Sequence, residues 1–277
     1  MMFPNSLAVD GRAGLAELFS KLAVLESAGW TKQLVTEQIL ERDGRIVKLP
    51  IYAYYNALTV DWVVIGGIHG REPAGANAIS EYSKQLLELG KTKSILILPL
   101  CNPWGYLEHN RYGPYQQSVG DSDHLLGRAE LPACPEAGAI TRFVTETIKI
   151  NANAAVLDLH EDPVYEAPGY VLDRWGTYLY ISGTNWESSP VATRVIQHLK
   201  NCALPLIIDG VTRFEETISN GIVPNTEDGS IDELLHKRGA CPVITVENIL
   251  HSETNPPLMI RIATYNEVLA AFFGRGD

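Results

Sequence analysis

The chain has 277 residues, of which 45% are hydrophobic and 20% are charged, and its formal net charge is −11 at pH 7. These proportions are those of an ordinary globular protein. The excess of acidic groups excludes a protein that binds nucleic acid through a basic surface.

Two further features predict a cytoplasmic protein without a membrane anchor. Residues 1–10 lack the basic and apolar segments of a signal peptide, and no stretch approaches the roughly 18 apolar residues of a membrane-spanning helix. The four cysteines are scattered and form no C-x-x-C pair. This spacing favours reduced, mostly buried thiols over a disulfide framework.

Apolar residues recur at helical spacing in several segments, which predicts helices at residues 11–28, 73–89, 136–149, 188–201, 230–238 and 258–273. Short apolar runs predict strands at residues 33–41, 46–55, 61–66, 94–98, 154–159, 205–208 and 242–246. Residues 105–135 and 209–229 show no period and are predicted to be long loops, which usually carry function.

The order of these elements predicts the architecture. Strands alternate with helices from residue 61 onward, which indicates an α/β protein whose mostly parallel sheet has helices on both faces. There is no internal repeat, low-complexity tract or linker. We therefore expect a single domain over residues 1–277, with residues 1–30 as an N-terminal helical extension.

The segment after the predicted strand 61–66 carries a candidate metal site. His69 and Glu72 lie three residues apart in a glycine-rich turn that leads into a helix. Imidazole nitrogen and carboxylate oxygen are both ligands of zinc. Because the strand holds one side of the turn and the helix the other, we interpret this pair as two of three protein ligands to a catalytic zinc.

Three more polar residues follow predicted strands elsewhere in the chain, namely Asn102, His160 and Glu247. Ligand sites in open α/β sheets lie at the carboxyl ends of strands, so we expect these residues to gather near His69. His160 is the best placed histidine for the third ligand, and the fourth position of a catalytic zinc stays open for water. Glu247, beside the metal, is predicted to act as the general base.

Four segments, in this order, resemble the M14 zinc carboxypeptidase family. They are His69-Gly70-Arg71-Glu72, Asn102-Pro103-Trp104-Gly105, Asp158-Leu159-His160 and Thr245-Val246-Glu247. The resemblance covers roughly residues 45–270 and implies a mixed, roughly eight-stranded sheet between helices. It also implies one zinc ion on His69, Glu72 and His160, with Glu247 as general base, in an enzyme that hydrolyses a peptide bond.

The same resemblance implies roles in the long loop after residue 105. Arg111 would polarise the scissile carbonyl and hold the oxyanion. Asp121 would orient the ring of His69. Asp123 and His124 stand where the family carries the Asn-Arg pair that binds the C-terminal carboxylate of a substrate, so we predict that these two residues contact the substrate.

This departure from the family pattern leaves three functions open. An acidic residue beside a neutral histidine does not replace a bidentate arginine, so a carboxypeptidase would need another cation there, for which Arg128 is a candidate. The related succinylglutamate desuccinylases and aspartoacylases use the same ligand set on N-acyl amino acids. A non-catalytic binding protein on the same fold is the third alternative, and the intact set of His69, Glu72, His160 and Glu247 argues against it.

Overall fold

A computed structural model describes residues 3–114, 134–164, 175–182, 186–224, 229–251 and 255–274. The helices in these ranges are α1 (Leu15–Ser27), α2 (Pro73–Glu81), α3 (Ser83–Leu89), α4 (Pro103–Glu108), α5 (Pro135–Arg142), α6 (Pro190–Leu199), α7 (Ile231–Lys237) and α8 (Leu258–Phe273). The strands are β1 (Thr31–Arg42), β2 (Arg45–Tyr55), β3 (Thr59–Gly66), β4 (Ile95–Leu98), β5 (Lys149–Val164), β6 (Thr177–Ser182), β7 (Asp209–Val211), β8 (Thr217–Ser219), β9 (Ile222–Pro224) and β10 (Val243–His251). A π-helical turn spans Phe143–Thr147 and a 3-10 turn spans Trp186–Ser188.

The strands form one mixed sheet in the order β1-β2-β4-β3-β5-β10-β6-β9-β8-β7. Its centre, β4-β3-β5-β10, is parallel, and antiparallel pairs lie toward both edges. The predicted mixed α/β sheet is confirmed, with ten strands in the described residues instead of roughly eight. The surplus arises within the predicted loop 209–229, where β7, β8 and β9 are too short to leave a periodic signal.

Apolar side chains of the central strands are buried on both faces of the sheet. Val64 and Leu157 belong to a core that also contains side chains of α1, α2, α6 and α8. Val63 and Val156, one residue earlier on each strand, belong to a second core with α5 and α7. Burial on both faces explains why these strands are continuous apolar runs in the sequence.

Two predicted strands are longer than their apolar runs. β5 and β10 pair in parallel from Val243↔Val156 as far as His251↔Val164. His160 and Glu247 therefore lie within strands, and the expectation that they follow the strand ends is wrong. The residues beyond them, 161–164 and 248–251, mix polar and apolar side chains without a continuous apolar run, so only the pairing between the two strands identifies this extension.

The neighbouring strand β3 ends earlier and opens the sheet at this point. Its last pair with β5 is Gly66↔Leu159, one residue before His160. From here β3 turns toward α2, while β5 continues beside β10. A crevice where one central strand departs and the next continues is the usual place for a ligand in such a sheet.

The helices of the described part of the chain show no candidate membrane span, since none combines the required length with sufficient hydropathy.

Helix α2 lies directly on β5 at Gly75. A Cβ atom at this residue would come within 2.7 Å of the Leu159 Cβ and within 2.9 Å of the Leu159 carbonyl oxygen. Leu159 precedes His160, and α2 follows Glu72. The absence of a side chain at residue 75 therefore lets the two halves of the candidate site approach each other.

We expect Gly75→Ala to lower the free energy of unfolding by about 1–3 kcal/mol, because the helix must move away from the strand. Gly14→Ala is the matched control, since a Cβ there meets nothing within 4 Å, and it should change the same free energy by less than about 1 kcal/mol. Denaturant unfolding of the metal-free protein measures both. Equal effects of the two substitutions would contradict the close contact of α2 with β5.

Candidate metal centre

The turn between β3 and α2 directs His69 and Glu72 to the same point. Gly67 has a φ of 63°, a left-handed conformation that lets the chain leave the strand abruptly. The backbone N–H of Glu72 donates to the carbonyl of His69 at 3.1 Å and closes the turn. Gly70 lies so close to Gly105 that a Cβ would come within 2.0 Å of the Gly105 carbonyl carbon. Only glycine fits between the two segments.

The side chains of His69, Glu72 and His160 converge in the interior. The His69 Nδ1 lies 2.9 Å from Glu72 Oε1, the His160 Nδ1 lies 3.2 Å from Glu72 Oε2, and the two Nδ1 atoms are 3.1 Å apart. Tetrahedral zinc, with bonds of about 2.0–2.1 Å, separates its ligand atoms by about 3.3 Å. These spacings join the two imidazole nitrogens and both oxygens of Glu72, and each lies within about 0.4 Å of the separation expected around one zinc ion, so this donor set fits zinc.

The charges around this cluster favour a cation at its centre. Burial by itself raises the pKa of Glu72, but the charges of His69 and Arg111 outweigh it and hold that pKa well below its ordinary value. Burial also lowers the pKa of His160, but the carboxylates of Asp158 and Glu72 outweigh it and hold this pKa well above its ordinary value. The site is therefore suited to a proton on the imidazole or to a divalent cation in its place.

Polar contacts fix the orientation of two candidate ligand side chains. The Nε2 atom of His160 lies 3.2 Å from Asp158 Oδ2, which leaves Nδ1 directed into the cluster. The backbone N–H of Glu161 donates to Glu72 Oε2 at 3.1 Å, and Arg111 Nη1 donates to Glu72 Oε1 at 2.7 Å. The ligand atoms are therefore held in place by the surrounding protein.

Glu247 borders the cluster from the neighbouring strand. β10 and β5 are in register with Glu247 opposite His160, and paired residues project from the same face of a sheet. The half-buried Glu247 carboxylate is near enough to contribute to the raised pKa of His160. Val246, the preceding residue, points into the core on the opposite face.

Asn102 organises the site without joining the ligand cluster. Its Oδ1 accepts from the backbone N–H of Gly105 at 2.9 Å and thereby caps α4. Its Nδ2 donates to the carbonyl of Arg111 at 3.2 Å, and the Gly70 N–H donates to the same carbonyl at 3.1 Å. The Arg111 carbonyl thus accepts from both Asn102 and the turn that carries His69, an arrangement that the sequence position of Asn102 alone did not reveal.

Four residues with predicted roles lie outside the described residues. Asp121, Asp123, His124 and Arg128 all belong to residues 115–133. Their predicted contacts with His69 and with the substrate stay predictions.

Arg12 supports the site although no motif in the sequence pointed to it. Its buried Nη1 donates to the carbonyls of Gly70 at 3.0 Å and of Tyr106 at 2.7 Å, and its charge is paired with Asp10. The N-terminal segment, which we predicted to be a helical extension, therefore supports the turn that carries His69 and Glu72. A lone Asp-x-Arg before a helix offers no signal for this role.

Gln38 is a second supporting residue that sequence reasoning missed. Although it lies in β1, it is 1% exposed and donates through Nε2 to Asn102 Oδ1 at 3.1 Å and to Glu136 Oε1 at 2.7 Å. Its Oε1 accepts from the Trp104 N–H at 2.7 Å. A polar residue on the buried face of a strand was the available signal, because such a group requires hydrogen-bond partners.

No family model and no protein with curated annotation matches the sequence. Solved structures do match its fold. A protein from Shewanella baltica OS155, described as a candidate metallopeptidase, superposes with a TM-score of 0.68 at 17% identity, over 93% of this chain and 90% of that chain. A metallo-carboxypeptidase from Burkholderia cenocepacia superposes with a TM-score of 0.62 at 12% identity, over 95% of this chain and 69% of that chain. An aspartoacylase family protein from Mesorhizobium loti superposes with a TM-score of 0.51 at 20% identity, over 90% of this chain and 68% of that chain.

These likenesses concern the fold. The chain has the mixed α/β fold of metallo-carboxypeptidases, and the resemblance inferred from the four sequence segments is confirmed at that level. In the part of the chain that the structure describes, His69, Glu72 and His160 form a group that could hold a metal ion.

Zinc can bind His160 only after the ring has lost the proton that Asp158 and Glu72 stabilise, because a neutral imidazole is the ligand. We expect zinc binding at pH 7 to release about one proton per ion, and zinc affinity to rise with pH until the raised pKa of His160 is passed. Calorimetric titrations in buffers of different ionisation enthalpy count the protons.

His160→Ala is the control for this measurement and should bind zinc far more weakly at this cluster. Wild-type protein that binds zinc without releasing protons would contradict the raised pKa of His160. Full zinc occupancy of this cluster in the His160→Ala protein would remove His160 from the ligand set.

Proposed function

We propose that this protein is a zinc-dependent hydrolase of an amide bond, of the metallo-carboxypeptidase type. The observation that carries the proposal is the buried convergence of His69, Glu72 and His160, with Arg111 and Glu247 beside them. The fold shared with metallo-carboxypeptidases supports it. The substrate would be a peptide or an N-acyl amino acid.

His69 and His160, through their Nδ1 atoms, and Glu72 would hold the ion. Zinc bound by these residues would lower the pKa of a water molecule and polarise the carbonyl of the substrate. The three ligand residues are at most 8% exposed. Because water is largely excluded from this cluster, charges in it interact more strongly than they would at the surface.

Glu247 would act as the general base and then as the general acid. Its carboxylate would accept a proton from the attacking water and deliver that proton to the departing nitrogen. The backbone of Glu247 is held in β10 between two paired strands, β5 and β6. A base held on a paired strand requires little rearrangement before each proton transfer.

Arg111 would stabilise the negative charge that grows on the carbonyl oxygen. Its guanidinium group carries five N–H donors, so the contact of Nη1 with Glu72 is compatible with a second contact to that oxygen. The same contact means that Arg111 also neutralises part of the Glu72 charge. Substitution of Arg111 is thus expected to affect both zinc binding and turnover.

Deacylation of an N-acyl amino acid is the second candidate reaction. It is favoured by Asp123 and His124, which stand where an Asn-Arg pair would bind a peptide's C-terminal carboxylate. The shared fold with an aspartoacylase family protein is compatible with it. Both reactions would use the same ligands and the same base.

A substrate panel distinguishes these reactions. The zinc-loaded protein would be offered peptides with a free C-terminus, the same peptides with an amidated C-terminus, and N-acetyl and N-succinyl amino acids. Release of the C-terminal residue from only the free-carboxylate peptides indicates a carboxypeptidase, and release of amine from the acylated amino acids indicates a deacylase. Zinc binding without any amide hydrolysis would contradict the proposal and indicate a binding protein.

We expect Glu247→Gln to lower kcat by about 10²–10⁴-fold, because the amide cannot take the proton from water. Bound zinc should stay at the wild-type level, measured by elemental analysis. Glu37→Gln, in β1 and paired with Lys48 away from the cluster, is the matched control and should leave kcat within about twofold. Turnover by Glu247→Gln within tenfold of the wild type would show that another group is the base.

A further inference from the structure

A second group of metal-binding side chains lies between α6 and α8. His198 is in the last turn of α6, Cys202 follows three residues after the end of that helix, and Glu267 is in α8. Their ligand atoms lie within 4.8 Å of one another. The two helices pack on the face of the sheet that contains Leu157 and is opposite to the face of His160.

We propose that His198, Cys202 and Glu267 form a second zinc site. Imidazole nitrogen, thiolate sulfur and carboxylate oxygen are the ligands that structural and catalytic zinc sites use. The presence of a thiolate favours zinc over magnesium or calcium, which prefer oxygen ligands. The remaining coordination position would be taken by water.

The distances are compatible with a single ion. The Cys202 Sγ lies 2.8 Å from Glu267 Oε2, and the His198 Nε2 lies 3.7 Å from the same oxygen. Tetrahedral zinc would separate sulfur from oxygen by about 3.6 Å and nitrogen from oxygen by about 3.4 Å. To reach these separations the Glu267 carboxylate needs to move by less than about 1 Å. The side chain of Glu267 is 49% exposed, which leaves room for this movement.

The backbone that carries these ligands is already ordered. The N–H of Asn201 donates to the carbonyl of His198 at 3.1 Å, and the N–H of Leu206 donates to the carbonyl of Leu199 at 2.9 Å. Arg194 of α6 donates to the carbonyls of Ala271 at 3.0 Å and Phe272 at 3.2 Å, which joins the two helices. Binding would therefore order little more than the three side chains.

A hydrogen bond between Cys202 and Glu267 explains only part of this arrangement. Without an ion, burial and the Glu267 carboxylate raise the pKa of the Cys202 thiol, so the thiol donates to Glu267 Oε2. That bond does not account for His198, whose Nε2 faces the same oxygen. On binding, the thiol proton would pass to solvent and the thiolate would ligate Zn²⁺, with no change of oxidation state. The exposed side chains of His198 and Glu267 leave an entry path for the ion.

Titration with cobalt(II) measures this site separately from the first. A cobalt–thiolate bond gives a charge-transfer band in the near ultraviolet, and the cluster of His69, Glu72 and His160 contains no sulfur. We expect wild-type protein to bind two cobalt ions per chain, one of which produces the band, and zinc to abolish it.

Cys202→Ser should abolish the band and leave one ion bound. His198→Gln and Glu267→Gln, at partly exposed positions that tolerate substitution, should weaken the band-forming site by at least about tenfold. Cys241→Ser is the matched cysteine control and should leave the band unchanged, since Cys241 lies outside this group. His69→Ala should also retain the band, so loss of the first site is distinguishable from loss of the second.

Absence of a thiolate band in the wild type would overturn the proposal. A band that survives in Cys202→Ser, or unchanged affinity in both His198→Gln and Glu267→Gln, would overturn it as well.

Discussion

Burial of the Glu72 carboxylate is the constraint on which the rest of the site depends. A charged group that is 2% exposed is stable only if its charge is compensated and its oxygens accept hydrogen bonds. The compensation comes from His69 in the same turn, His160 and the Glu161 N–H on β5, and Arg111 after α4. Every partner except His69 is distant in the chain, so the carboxylate links three separate segments.

Those segments need their own support, which a second layer of hydrogen bonds supplies. Arg12 donates a hydrogen bond to the carbonyl of Gly70, and Asn102 donates one to the carbonyl of Arg111. The Nε2 of Gln38 in turn donates to the Oδ1 of Asn102. On the other side, β5 alternates its contacts, since Asp158 and His160 project toward the cluster while Glu161 projects to the opposite face and pairs with Arg261 of α8. The packing of α8 and the geometry of the metal cluster are thereby connected through one strand.

Sequence periodicity was sufficient for the central strands and most helices, because burial of an amphipathic face or of a whole strand leaves a repeating apolar pattern. It was insufficient where pairing decided the structure. β5 and β10 extend past His160 and Glu247 through residues that mix polar and apolar side chains, and β7 to β9 are three-residue strands stabilised by their neighbours. It also failed at Tyr82, where the predicted helix 73–89 divides into α2 and α3.

The sequence by itself determined the chemical types at the candidate site, since its motifs and its family resemblance indicate His69, Glu72, His160, Arg111 and Glu247. Each short motif and the strand–turn–helix pattern around His69 are local properties, which are encoded in neighbouring residues. Only the tertiary structure decided that the side chains of His69, Glu72 and His160 meet, with polar atoms 2.9 to 3.2 Å apart, and that Arg12 and Gln38 support the segments around them. It likewise brought Glu267 beside His198 and Cys202. Such contacts join residues far apart in the chain, and they depend on how elements pack, which no local pattern specifies.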